Sequence, residues 1–129
     1  MPRTFCLLNH ILTQKQLDEL KQKFGSTEIV YPNESLSTLW SQIPPEKSNA
    51  DIIASVVFWL KRNAERGDFF IVQGEFGSTF TLADFALKNG LVPIYATTRR
   101  IAKETRSGET VHREYIFEHV CFKEYRYFE

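Results

Sequence analysis

Short apolar runs alternate with helical repeats through the first three quarters of this chain, and that order constrains the fold more than any other feature. Thr4 to Leu8 reads as a buried strand. Thr13 then opens a helix, with Gln16 three residues on completing a capping box, Leu17, Leu20 and Phe24 at helical spacing, and Gly25 as the stop. Glu28 to Tyr31 is a second strand, ended by Pro32, and Ser35 to Gln42 a short helix closed by Pro44-Pro45. Ala50 to Arg66 carries the widest apolar helical face, Gly67 ends it, and an apolar run from Asp68 to Val72 follows as a strand. A glycine-bracketed loop leads to a helix over Thr81 to Lys88, stopped by Gly90. Leu91 to Ala96 is the next strand, its Pro93 placed more easily at an edge or a bulge. The order βαβααβαβ predicts an α/β fold, a mainly parallel sheet with flanking helices.

The last third changes character. Ile101 to Thr105 and Thr110 to Val120 flank Arg106-Ser107-Gly108-Glu109, which predicts a C-terminal β-hairpin over about 99–127. Apolar residues occupy both faces of its second arm, so the arm is expected to be covered by the helices and by a second subunit. At 129 residues the chain fits one domain, 1–129. Sixteen basic and sixteen acidic residues balance, so long nucleic acid is not the expected partner. Cys6 and Cys121 lie far apart without metal-ligand spacing and read as reduced thiols. The N-terminus has no signal-peptide pattern, and no apolar stretch approaches the ~20 residues of a membrane span. A cytoplasmic location and no membrane partner are expected.

The chemistry centres on Gln73-Gly74-Glu75-Phe76-Gly77-Ser78-Thr79, between a strand and a helix. Unpaired amides at a helix N-terminus favour an anion. Gly74, Gly77, Ser78 and Thr79 would hold phosphate oxygens, whereas Glu75 repels them unless it meets a donor such as a ribose hydroxyl or caps the helix. In parallel sheets ligands bind beyond the carboxyl ends of the strands. Asn9-His10 follows the first strand and Thr97-Thr98-Arg99-Arg100 is expected to follow the fourth, so three polar groups converge there. His10 suits general acid–base work or a backbone hydrogen bond, and Asn9 a ligand contact or a cap. Arg99 and Arg100 suit phosphate but point to opposite faces in extended chain, while Lys103 and Arg113 read as surface charge. His112, Glu114 and Glu118 share a face that His119 does not, so no metal is expected.

Together, Phe5 to His10 with Leu12-Thr13, Val72 to Gly77, Ile94 to Arg99, and Val111 to Arg113 with Phe117 to Val120 carry a resemblance across nearly the whole chain. The chain resembles the small Csx-type CRISPR-associated accessory proteins of type III systems, subfamily twenty. That resemblance implies a Rossmann-like, CARF-related homodimer. It implies a ring nuclease that binds cyclic oligoadenylate, the cyclic tetra-adenylate in the first instance, and cleaves it to end antiviral signalling. No cofactor is implied. Ribose 2′-OH attack on the adjacent phosphate would leave 2′,3′-cyclic phosphate ends, with His10, Glu75, Arg99 and Arg100 as catalytic candidates. Asn9, Gln73, Gly74, Phe76, Gly77, Ser78, Thr79, Thr97 and Thr98 would bind the ligand. The alternatives are a protein that sequesters the same ring, and an interaction module of a CRISPR effector.

Overall fold

Thr13 starts the first helix as its capping box requires. The Thr13 hydroxyl accepts from the Gln16 amide at 3.3 Å, and Gln16 Oε1 accepts from the Thr13 amide at 3.0 Å. In the computed structural model, which describes residues 1–129, this helix is α1 (Gln14–Phe24), preceded by β1 (Thr4–Leu7) and closed by Gly25 at φ +66°. There follow β2 (Ile29–Val30), α2 (Glu34–Ser41), α3 (Ala50–Asn63), β3 (Phe69–Val72), α4 (Phe76–Lys88), β4 (Val92–Ser107) and β5 (Thr110–Glu124). The predicted order of elements holds as far as the start of β4.

One sheet runs β2-β1-β3-β4-β5, with the first four strands parallel and β5 antiparallel to β4. Because side chains alternate along a strand, each strand feeds two cores. Phe5, Leu7, Phe70 and Val72 meet Trp40, Val56, Leu60 and Leu82 of α2, α3 and α4. Cys6, Ile71, Ile94 and Phe122 meet Leu12 and Leu20 on the α1 side. The sheet thus has helices on both faces.

Three expectations need correction. The helix after the glycine loop begins at Phe76, not Thr81, because Glu75 caps it. Pro93 lies in an interior strand rather than at an edge or a bulge. It is tolerated because β5 stops beside it: the Pro93 carbonyl accepts from the Tyr125 amide at 3.0 Å, and the missing Pro N–H is the reciprocal bond of that pair. Finally, β4 does not end at Ala96. It continues as one arm of a hairpin spanning Val92 to Glu124, wider at its start than the predicted 99–127.

The hairpin turns at Gly108-Glu109, where Gly108 takes φ +62° and Glu109 does not need a positive φ, as in a type II′ turn. Beyond Thr97 it leaves the domain. Residues 98–118 are all exposed, so the helices do not cover the arm as expected. At its root the register shifts between Thr97 and Thr98, leaving Val120 as an extra residue on β5. The bulge lets both His119 and Phe122 face α1 although they are three residues apart. His119 Nε2 donates to Glu19 Oε1 at 2.6 Å, and Glu19 Oε2 accepts from the Phe122 amide at 2.8 Å.

Candidate functional site

The strands β1 and β3 are neighbours that end level, with Leu7 opposite Val72. From there the chain leaves β1 for α1 on one face and β3 for α4 on the other. The diverging exits open a crevice at the carboxyl edge, the place where ligands bind in open parallel sheets. Asn9, His10 and the Gln73–Glu75 turn all stand at that edge.

On the β1 side the exit loop borders a cleft of about 280 Å³ between it and α2, with Asn9, His10, Tyr31, Ser37, Thr38 and Ser41 in its walls. Asn9 and His10 are exposed. His10 Nδ1 lies 2.9 Å from the Ile11 carbonyl, and a carbonyl only accepts, so Nδ1 carries the proton. In the neutral ring Nε2 is then left as the acceptor. The Tyr31 hydroxyl accepts from the Leu12 amide at 3.4 Å, and burial pushes its pKa up, a shift partly offset by that hydrogen bond. Sequence reasoning passed over Tyr31. Its signal was an aromatic residue just before Pro32, at the carboxyl end of the second strand.

On the β3 side most polar groups are already engaged. Gln73 Oε1 accepts from the Ala96 amide at 2.7 Å, and its carbonyl accepts from Trp40 Nε1 at 2.9 Å. Gly74 is exposed to solvent on one side, but a Cβ there would come within 2.8 Å of the Trp40 indole. Glu75 Oε1 accepts from the Ser78 amide at 2.7 Å and from Asn49 Nδ2 at 2.9 Å. The Ser78 amide first, then its nearby hydroxyl, the Gly77 amide and Asn49 hold the Glu75 carboxyl below its ordinary range. The carboxylate that looked misplaced in an anion site is therefore the helix's own anion.

Around it, Phe76 is 92% exposed and Gly77 lies in the first turn of α4. The Ser78 and Thr79 hydroxyls are buried without a hydrogen-bond partner, the first lying beside Glu75 but outside bonding geometry. Access to them requires the first turn of α4 to move.

Thr97-Thr98-Arg99-Arg100 do not form a loop at the crevice but lie within β4. Gln73 is level with Ala96, so Arg99 and Arg100 stand three and four residues, roughly 10–13 Å, beyond the rim. The strand persists because β5 supplies backbone partners where burial no longer does. Thr97 Oγ1 donates to the Cys121 carbonyl at 2.8 Å beside the bulge, and Thr98 is opposite His119. Alternation from Ile94 puts Arg100 on the α1 face, its guanidinium 4.6 Å from the Tyr115 ring centre. Arg99 takes the α4 face with Glu75, opposite Glu118. The two arginines thus lie on opposite faces beyond the rim, apart from the cleft that His10 lines with α2.

No group of three or more His, Cys, Asp or Glu side chains is arranged to hold a metal ion. His112 Nε2 lies 3.0 Å from Glu114 Oε1, while His119 is turned inward to Glu19. No helix is long and apolar enough to cross a membrane.

A sequence model for the family described as Uncharacterized protein MJ1673 family matches residues 2–123. The chain belongs to that family. Similar to it is the Uncharacterized protein MJ1673 of Methanocaldococcus jannaschii, 33% identical over 126 residues that cover 97% of this chain and 98% of the relative. No solved structure matches the chain. The MJ1673 family match begins before β1 and ends within β5, so it takes in both exit loops and the whole projecting hairpin.

Proposed function

We propose that this MJ1673-family protein is a metal-independent ring nuclease that binds cyclic oligoadenylate at the β1–β3 crevice and opens it. On this reading the domain is Rossmann-like and related to CARF sensors. It acts in the cytoplasm as a homodimer and serves to switch off type III CRISPR antiviral signalling. The observation that carries the proposal is His10: an exposed imidazole at the strand-reversal point, its Nδ1–H held by Ile11 and its Nε2 left to accept a proton.

In the proposed reaction a ribose 2′-OH gives its proton to His10 Nε2 as O2′ bonds to the adjacent phosphorus. The P–O5′ bond breaks in line, and the 5′ oxygen takes up a proton from the imidazolium or from water. The products are a 2′,3′-cyclic phosphate and a 5′-hydroxyl end. Arg100, which projects beyond the rim, would offer positive charge to the phosphorane. The distance of Arg100 beyond the rim suits a ligand longer than one nucleotide. Glu75 acts by holding α4 in place, since its carboxylate is already engaged.

That engagement also favours a second reading, in which the protein sequesters the ring without cleaving it. Incubating labelled cyclic tetra- and hexa-adenylate with the protein in EDTA, then separating the products, tests both. Cleavage by the wild type that is lost in His10→Ala, with binding kept, supports the nuclease. Intact ring retained by the wild type supports sequestration, and an unbound, uncleaved ring refutes both.

A further inference from the structure

Monomers seldom expose one continuous apolar patch above a few hundred Å². On the hairpin arm Ile101 and Ile116 are 41% and 48% exposed on the α4 face, and Val111, Tyr115 and Phe117 are 48–67% exposed on the other. Between Thr98 and His119 the chain also carries five basic and four acidic residues. This mixture is unlike a cationic arm for nucleic acid, and its arrangement is ordered. On the α4 face, the cross-strand partners are Arg99 with Glu118, Ile101 with Ile116, and Lys103 with Glu114. Basic residues line β4, acidic residues line β5, and an isoleucine pair lies between them. Neither Arg99 nor Lys103 forms a salt bridge within the chain, whereas the Arg100 guanidinium on the other face is stacked on Tyr115. Glu118 Oε1 lies 3.5 Å from Lys15 Nζ and Glu114 Oε1 3.0 Å from His112 Nε2, contacts that any pairing outside the chain would have to replace or share.

We propose that this face binds the same face of a second copy of the chain, about a twofold axis parallel to the hairpin. Such an axis lays β4 of one copy over β5 of the other without reversing direction. Arg99 then meets the other copy's acidic row at the level of Glu118, Lys103 meets it at Glu114, and Ile101 covers Ile116. Every contact occurs twice, as a closed dimer requires. An axis across the strands would instead set basic row on basic row. About 30 Å of two-stranded ribbon presents roughly 300 Å² on each side, below the ~800 Å² per partner of a standard interface, so the adjoining domain edges must supply the larger share. Both crevices then open toward the same end of the dimer. The inference deepens the proposed reading by naming the surface of its homodimer, and rests on that reading only where the ligand is concerned.

Sedimentation equilibrium without ligand tests it. Wild type is expected to be dimeric. Lys103→Glu alone and Glu114→Lys alone place like charges in register twice, and each should weaken self-association at least tenfold. Mixed together, the two variants restore both cross-subunit pairs, so the heterodimer should form more tightly than either homodimer. Within each variant chain positions 103 and 114 keep like charges opposite each other in either dimer, so a purely intrachain effect predicts no recovery. A monomeric wild type, or no preference for the heterodimer, overturns the proposal. Because no adenylate ring is present, failure here leaves the crevice chemistry to be judged by the cleavage experiment.

Discussion

The Glu75 carboxylate accepts from the Ser78 amide at 2.7 Å and so occupies the position at the start of α4 that an external anion would take. Since the hydrogen-bonded carboxyl has a lowered pKa, the folded protein binds that proton less readily than the unfolded chain. Its stabilisation is present above the unfolded carboxylate pKa and is lost as pH falls through the folded one. Glu75→Gln should therefore lower Tm by a few degrees at pH 7 and flatten the acid side of the stability curve. Thermal melts of both proteins from pH 7 to pH 3 check this.

Gly74 and Gly77 bracket the same turn but answer to different neighbours. Gly74→Ala sets a Cβ against the Trp40 indole and disturbs the Trp40 Nε1 bond to the Gln73 carbonyl. A destabilisation of about 1–3 kcal/mol is expected, with a change in tryptophan fluorescence. At Gly77 an added Cβ meets Glu75 oxygens only at 3.6 Å, an ordinary contact. Gly77→Ala should be neutral or stabilising by up to ~1 kcal/mol. Urea titration of the two variants separates a turn built around Trp40 from one that needs both glycines.

The root of the hairpin depends on Glu19. Its carboxylate, like the His119 ring, is more than nine-tenths buried and serves both His119 Nε2 and the Phe122 amide. Glu19→Ala leaves two donors unpaired, and a loss of ~2–6 kcal/mol follows from ~1–3 kcal/mol for each. Hydrogen exchange should show the effect concentrated at the bulge and the adjoining end of β5.

Part of this arrangement was legible in the sequence. The capping box at Thr13, the Gly25 stop and the order of strands and helices follow from local chemistry. So did the opposite faces of Arg99 and Arg100. The extension of β4 past Ala96 was not, because the apolar signal fades there while backbone pairing with β5 continues. Glu75 was recognised as out of place for an anion site, but its capping role depended on Asn49 and Ser78 coming together. The partner of His119 was also missed, although Gln16, Glu19 and Leu20 fall at i, i+3 and i+4 on one face of α1.

The two cysteines should differ sharply. Burial pushes the Cys6 thiol from its ordinary 9.0 to about 12, and it is almost fully enclosed, whereas Cys121 is partly exposed. A thiol reagent at pH 8 should modify Cys121 and spare Cys6 until the protein is unfolded. Tyr125, whose hydroxyl donates to the Val72 carbonyl at 2.6 Å, is likewise raised by burial to about 12. Both groups hold their protons more tightly in the folded state. Their stabilisation is complete below pH 9 and is lost as pH rises towards 12. Urea melts between pH 8 and 11 should show falling stability, less steeply in Tyr125→Phe.

The central claim concerns His10 and the fate of a ring phosphate. Phosphorus NMR of cyclic tetra-adenylate incubated with the wild type in EDTA reads it directly. The account predicts growth of a 2′,3′-cyclic phosphate resonance with the wild type and its absence with His10→Ala. An unchanged ring spectrum with the wild type, or equal product from both proteins, would contradict it.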